Sequence, residues 1–172
     1  MKAVFIDRDG TLGGSDQIEY PGQFTLYPGV LESLLKLKDH GCLLFSFTNQ
    51  PGISMGRSSV KAFEKELEGF GFDGIFLCPH HPEAGCECRK PAPGMINNAC
   101  HDYRLNPGDC IVIGDRLKDI EAGQRAGCEQ ILVLTGGGKS AVHELQVSNH
   151  IRKPGYIAED LNDAIRRLIK DS

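Results

Sequence analysis

Lys2-Ala3-Val4-Phe5-Ile6-Asp7-Arg8-Asp9-Gly10-Thr11 is the stretch on which the fold turns. Lys2 to Ile6 is a short apolar run that stops at an acidic, glycine-containing turn, so it reads as a buried strand with Asp7 and Asp9 just past its end. Outward from it the pattern repeats. Pro28-Gly29 opens a helix whose apolar positions are Val30, Leu31, Leu34, Leu35 and Leu37, stopped by Gly41. Cys42 to Phe47 is a second strand, followed by Thr48-Asn49-Gln50-Pro51-Gly52. Val60, Phe63, Leu67 and Phe70 mark a second helical face. Gly74 to Cys78 is a third strand. A helix runs from Pro93 to about Tyr103, and a fourth strand from Asp109 to Ile113, ending in Gly114-Asp115. The next helix closes at Gly127, and Gln130 to Leu134 is a fifth strand. Helices near 139–147 and 159–170 end the chain, with a short strand at Tyr156-Ile157. Apolar strands that alternate with helices predict an α/β fold, a parallel sheet covered on both faces. Ligands bind such sheets beyond the carboxyl ends of the strands, and Asp7, Thr48, Cys78 and Asp115 all stand at such ends.

The 172 residues suit a single domain, 1–172, large enough to bury a core without disulfides. The net charge of −4 and pI near 5.8 argue against neutralising many nucleic-acid phosphates. No apolar run approaches the roughly 18 residues of a membrane span, and the N-terminus turns acidic too early for a signal peptide. The expectation is a cytoplasmic protein with no nucleic-acid or membrane partner. No exposed apolar stripe stands out, so a monomer is expected.

Two carboxylates two residues apart, Asp7 and Asp9, can approach one hard cation such as magnesium, which takes oxygen ligands. A carboxylate can also attack phosphorus, while a second acid protonates the leaving oxygen and then activates water. Gly10 permits the tight turn. Alone, this stretch could be an acidic turn or a cap. It is not alone. Asp115 offers a third carboxylate, with Asp119 one helical turn on. Thr48 and Asn49 offer a hydroxyl and an amide for phosphate oxygens, and Arg89-Lys90-Pro91 offers positive charge for a phosphoryl group in transfer.

Cys78-Pro79-His80-His81-Pro82-Glu83-Ala84-Gly85-Cys86-Glu87-Cys88 places three thiols and an imidazole within reach of one ion. Cys₃His is a closed tetrahedral set that suits structural zinc. Either His80 or His81 could complete it by chemistry alone, with His80 in a Cys-x-His pair that matches Cys86-x-Cys88. The loop leads straight into Arg89 and Lys90, so zinc would brace them. Cys42, Cys100, Cys110 and Cys128 read as small core residues.

These motifs, in this order, resemble the haloacid-dehalogenase superfamily of phosphatases over nearly the whole chain. The resemblance implies a Rossmann-like three-layer sheet, with Asp7 as nucleophile and Asp9 as general acid/base. It implies magnesium held by Asp7, the Asp9 carbonyl and Asp115, and Thr48 and Lys90 on the phosphoryl group. The short spans between motifs leave no room for a large cap. The zinc loop resembles two capless groups, the heptose-bisphosphate 7-phosphatases and the histidinol-phosphate phosphatases, and assigns the histidine ligand to His80. The wording of Thr48 to Ile53, of Arg89 to Met95 and of Leu134-Thr135-Gly136 resembles the heptose group. The five residues between His80 and Cys86 resemble the histidinol-phosphate group. In the heptose group, positions matching Arg89 and Arg116 hold the far phosphate or sugar hydroxyls, and Gln50 could add a hydrogen bond. The implied substrate is a small phosphorylated metabolite: a heptose bisphosphate, histidinol phosphate, or a range of metabolites for a generalist. The other class is a catalytically silent zinc-binding module, which the intact Asp7, Asp9, Lys90 and Asp115 oppose. Gly136-Gly137-Gly138-Lys139-Ser140 imitates a phosphate-binding loop, but that pattern needs glycine where Val133 stands. It reads as a turn opening a helix, with a substrate contact as the other reading.

Overall fold

The computed structural model describes residues 2–15 and 17–170. Among the described residues there are six strands: β1 (Ala3–Ile6), β2 (Leu43–Asn49), β3 (Gly74–Cys78), β4 (Cys110–Gly114), β5 (Glu129–Val133) and β6 (Tyr156–Ala158). The helices are α1 (Val30–Asp39), α2 (Val60–Gly69), α3 (Gly94–Asp102), α4 (Leu117–Ala126), α5 (Gly138–Val147) and α6 (Leu161–Lys170). The strands form one sheet in the order β3-β2-β1-β4-β5-β6, every pair parallel. The order reverses beside β1, which opens a crevice between the carboxyl ends of β1 and β4. No helix among the described residues is long and apolar enough to cross a membrane.

Alternation along β1 divides the core. Val4 and Ile6 face the layer of α1, α2 and α6, where they meet Leu34, Leu37, Leu67 and Ile165. Ala3 and Phe5 face the other layer, against Phe45, Phe47, Met95, Ile96 and Val112. A satellite cluster of Ile120, Leu132, Ala141 and Leu145 ties α4 and α5 to the same side as α3. All of β1 is buried, as a central parallel strand must be when helices cover both faces. Cys42, Cys100, Cys110 and Cys128 are buried free thiols.

Element bounds differ from the sequence reading where side chains hid the backbone. β2 runs on through Thr48 and Asn49, because those polar residues still pair with Leu77 and Cys78 of β3. A 3₁₀ turn at Pro107–Asp109 takes the start of the fourth expected strand. Between β1 and β2 lie a turn-rich segment and α1, and between β2 and β3 lies α2, so among the described residues no large cap covers the crevice. The turn-rich segment folds back through isolated bridges, Asp9 to Gly13 and Gly13 to Leu26.

Leu34 is fully buried between α1 and the sheet. Leu34→Ala is expected to cost about 2–5 kcal/mol of stability in urea unfolding, whereas a loss below about 1 kcal/mol would contradict this packing.

Candidate active site and metal centre

The crevice collects its side chains from four strand ends. Asp7 follows β1, held where its N–H donates to the Ile113 carbonyl at 3.0 Å. Asp115 follows β4. Lys90 arrives from the loop after β3, and its Nζ lies 2.7 Å from Asp7 Oδ1 and 2.7 Å from Asp119 Oδ1. It also sits 4.1 Å above the centre of the Phe47 ring. The Lys90 and Asp119 side chains have no solvent exposure. Burial pulls the Lys90 ammonium toward neutrality, but Asp119 and Asp7 together outweigh it and hold it above its ordinary range.

Asp7, Asp115 and Asp119 each present an oxygen within 4.8 Å of the others. Three buried carboxylates set against the Lys90 ammonium and the half-exposed Arg116 guanidinium still leave surplus negative charge, and an all-oxygen donor set suits a hard divalent cation. Asp115 is clamped from several sides. Gly137 N–H donates to its Oδ2 at 2.6 Å, Arg116 Nε stands 3.3 Å from the same oxygen, and the Thr11 hydroxyl is 3.5 Å from Oδ1. Thr135 ties the glycine turn to the first motif by donating to the Gly10 carbonyl at 2.6 Å. Gly10 has φ +85°, and a Cβ there would lie 2.4 Å from Asp115 Oδ2, so glycine is required twice over. The turn at Gly136–Gly138 therefore opens α5, as read, and also supports a site carboxylate.

Asp9 stands at the rim with its side chain about half exposed. Its Oδ2 accepts from Gln50 Nε2 at 2.6 Å, and the same amide donates to Thr48 Oγ1 at 2.9 Å. Burial lifts the Asp9 carboxyl above its ordinary range; Arg8 pulls it down and Asp7 pushes it up. Asn49 faces Lys90 with both ends of its amide. Its Oδ1 accepts from the Lys90 N–H at 3.1 Å, and its Nδ2 donates to the Lys90 carbonyl at 3.3 Å.

A cavity of about 370 Å³ is lined by Asp7, Asp9, Thr48, Asn49, Lys90 and Arg116. A second, of about 410 Å³, adjoins it at Asp9, Asn49 and Arg116 and adds Ser15, Gln17, Tyr20, Gln50 and Met55. Arg89 lines neither cavity. Arg116, on which a Cβ at Gly137 would collide, reaches both.

Beside the crevice, Cys78, His80, Cys86 and Cys88 draw together. Sγ atoms are 3.6 Å apart for Cys78 and Cys86 and 3.5 Å apart for Cys86 and Cys88, and His80 Nδ1 is 3.2 Å from Cys88 Sγ. A tetrahedral ion with bonds near 2.3 Å would separate its sulfurs by about 3.8 Å, so the set has the dimensions of a zinc site. His81 turns away, its Nδ1 accepting from the Glu83 N–H.

The sequence reading missed Arg8, Thr11 and the Gly137 N–H. For Arg8 a signal existed: it continues the alternation of Val4 and Ile6, which aims it into the α2 layer. The Gly137 N–H left none, because backbone groups have no side-chain signature.

The HAD-hydrolase-like family model matches residues 87–164. The chain is 38% identical to a D-glycero-β-D-manno-heptose-1,7-bisphosphate 7-phosphatase of Pasteurella multocida, over 98% of this chain and 97% of that one. It is equally identical, 38%, to the protein of the same name in Haemophilus ducreyi, over 83% of this chain and 88% of that one. The crystal structure of D,D-heptose 1,7-bisphosphate phosphatase from Bordetella bronchiseptica, complexed with magnesium and phosphate, superposes with a TM-score of 0.89 at 28% identity, covering all of both chains. The chain belongs to the haloacid-dehalogenase-like hydrolases and, within them, to the phosphatase family of these relatives. It is an enzyme, a phosphoric monoester hydrolase.

Asp115 yields a prediction for the magnesium-free protein. Burial, with Asp7 and Asp119 pushing the same way, lifts it to about 7, against the pull of the Gly137 N–H and Arg116. A carboxyl raised on folding favours the protonated folded form. Its contribution is full below its unfolded value near 3.9 and is lost as pH rises through about 7. Between those limits, melting temperature is expected to fall with pH more steeply in the wild type than in Asp115→Asn. Parallel curves would contradict the crowding described here.

Proposed function

We propose that this phosphatase removes the 7-phosphate of D-glycero-β-D-manno-heptose 1,7-bisphosphate through an aspartyl-phosphate on Asp7. One observation carries the chemistry: the Lys90 ammonium, buried between Asp7 and Asp119, on the wall of a cavity that also holds Asp9 and Thr48. The substrate follows the names of the relatives, which match this chain over most of its length.

An Asp7 carboxylate oxygen attacks phosphorus as the bond to the sugar oxygen breaks, and Asp9 gives that oxygen its proton. Asp9, now a base, takes a proton from the water that attacks the aspartyl-phosphate, which frees Asp7 and inorganic phosphate. Lys90 and Thr48 meet the charge spread over the equatorial phosphoryl oxygens. Asp119 holds Lys90 in line and caps α4, accepting from the Arg116 N–H at 2.9 Å. Asp7, the Asp9 carbonyl and Asp115 would hold magnesium, which would supply positive charge to the phosphoryl group. The second cavity, with Gln50, Arg116, Ser15 and Tyr20, receives the sugar. Cys78, His80, Cys86 and Cys88 would hold a structural zinc, which would fix the loop that delivers Arg89 and Lys90.

Two experiments test this reading. Asp7→Asn is expected to reduce phosphate release to the assay background with magnesium present; retained turnover would remove Asp7 as nucleophile. For the wild type, kcat/KM with the heptose bisphosphate is expected to exceed that with histidinol phosphate by at least about tenfold, a difference of about 1.4 kcal/mol in transition-state binding. Comparable values would make the enzyme a generalist. Metal analysis tests the loop separately: about one zinc per chain is expected, lost in Cys86→Ala, and zinc retained by that variant would contradict the ligand set.

A further inference from the structure

Arg8 stands between the two acids of the first motif and is wholly buried. It occupies the face of β1 that Val4 and Ile6 fill with apolar side chains, and its guanidinium lies 3.7 Å from the centre of the Phe24 ring and 5.0 Å from that of Phe63. Burying a guanidinium there costs desolvation that a leucine would avoid. Each of its contacts fixes one direction. Nε donates to Glu66 Oε1 of α2 at 2.8 Å, and Glu66 is itself only 10% exposed. Nη1 donates to the Glu19 carbonyl at 3.0 Å and to Asp9 Oδ1 at 2.5 Å. With Gln50 on Oδ2, both oxygens of Asp9 are held by buried donors anchored on two different elements, although the carboxylate itself stands at an open rim.

We propose that Arg8 is a positioning residue for Asp9: anchored by Glu66, it aims the Asp9 carboxyl at the oxygen that leaves phosphorus. This rests on the reading of Asp9 as the general acid/base. A free aspartate at a solvent rim has several rotamers of similar energy, and proton delivery needs one of them. The planar fork of arginine, packed between two rings and tied at Nε, selects that one as a lysine could not.

Leaving-group dependence separates positioning from general damage. An alkyl phosphate needs a proton on its departing oxygen, whereas 4-nitrophenyl phosphate departs as a stabilised phenolate with little need of one. Because kcat/KM covers steps only through transfer to Asp7, it isolates this protonation from the later attack of water. The ratio of kcat/KM for the faster of the heptose bisphosphate and histidinol phosphate, both alkyl phosphates, to that for 4-nitrophenyl phosphate is expected to fall at least about tenfold in Arg8→Met. It is expected to fall in the same direction, by less, in Glu66→Gln, whose fold is checked by circular dichroism and which decides the matter if Arg8→Met does not fold. Asp9→Asn sets the reference. If Asp9→Asn lowers the ratio while Arg8→Met and Glu66→Gln leave it at the wild-type value, Arg8 does not position Asp9 and the acid/base reading stands. If Asp9→Asn itself leaves the ratio unchanged, the acid/base reading fails and the proposal fails with it.

Discussion

The carboxyl edge of the sheet depends on where one ammonium group sits. Asp7, Asp115 and Asp119 crowd within 4.8 Å, and two like charges at that distance repel by about 3–4 kcal/mol at an effective dielectric near 20. Lys90 lies 2.7 Å from an oxygen of each of Asp7 and Asp119, and its attraction to those two offsets repulsion within the cluster. A buried lysine without such partners would shed its proton, and the carboxylates without it would take up protons. The arrangement is mutual, and it leaves enough uncompensated negative charge to welcome a divalent cation.

Lys90 has to arrive in register, and the chain spends much of its irregular structure on that. Asn49 holds both backbone groups of Lys90, which turns the last residue of β2 into a fixture for a loop 41 residues on. The cysteine cluster draws the preceding loop together a few residues earlier. Asn49 thus lines the first cavity while both ends of its amide engage the Lys90 backbone.

The fold was readable because parallel strands buried on both faces are nearly continuous apolar runs, and helices between them repeat with a period close to 3.6. Bounds slipped where polarity and pairing part company, as at Thr48 and Asn49, which are polar yet still paired in β2. The acids, Lys90 and the cysteines were readable because their chemistry is rare at strand ends. The supports were not. Gly137 acts through its N–H, Thr11 reaches Asp115 across 104 residues of sequence, and Glu66 is one of several acids on an amphipathic helix. Only the folded chain shows which of them faces inward. Between His80 and His81, composition offers no choice; the turn that pairs His81 with Glu83 makes it.

Because side chains alternate across β1, Asp7 goes to the crevice and Arg8 to the layer of α2. Inserting or deleting one residue within β1 would exchange them. With a deletion the guanidinium would stand at the crevice in place of the Asp7 carboxylate, and with either change a carboxylate would be pressed against Phe24 and Phe63. Loops elsewhere can lengthen or shorten across a lineage with little harm. The four residues Ala3 to Ile6 allow no such change without turning Asp7 off the crevice face of the sheet.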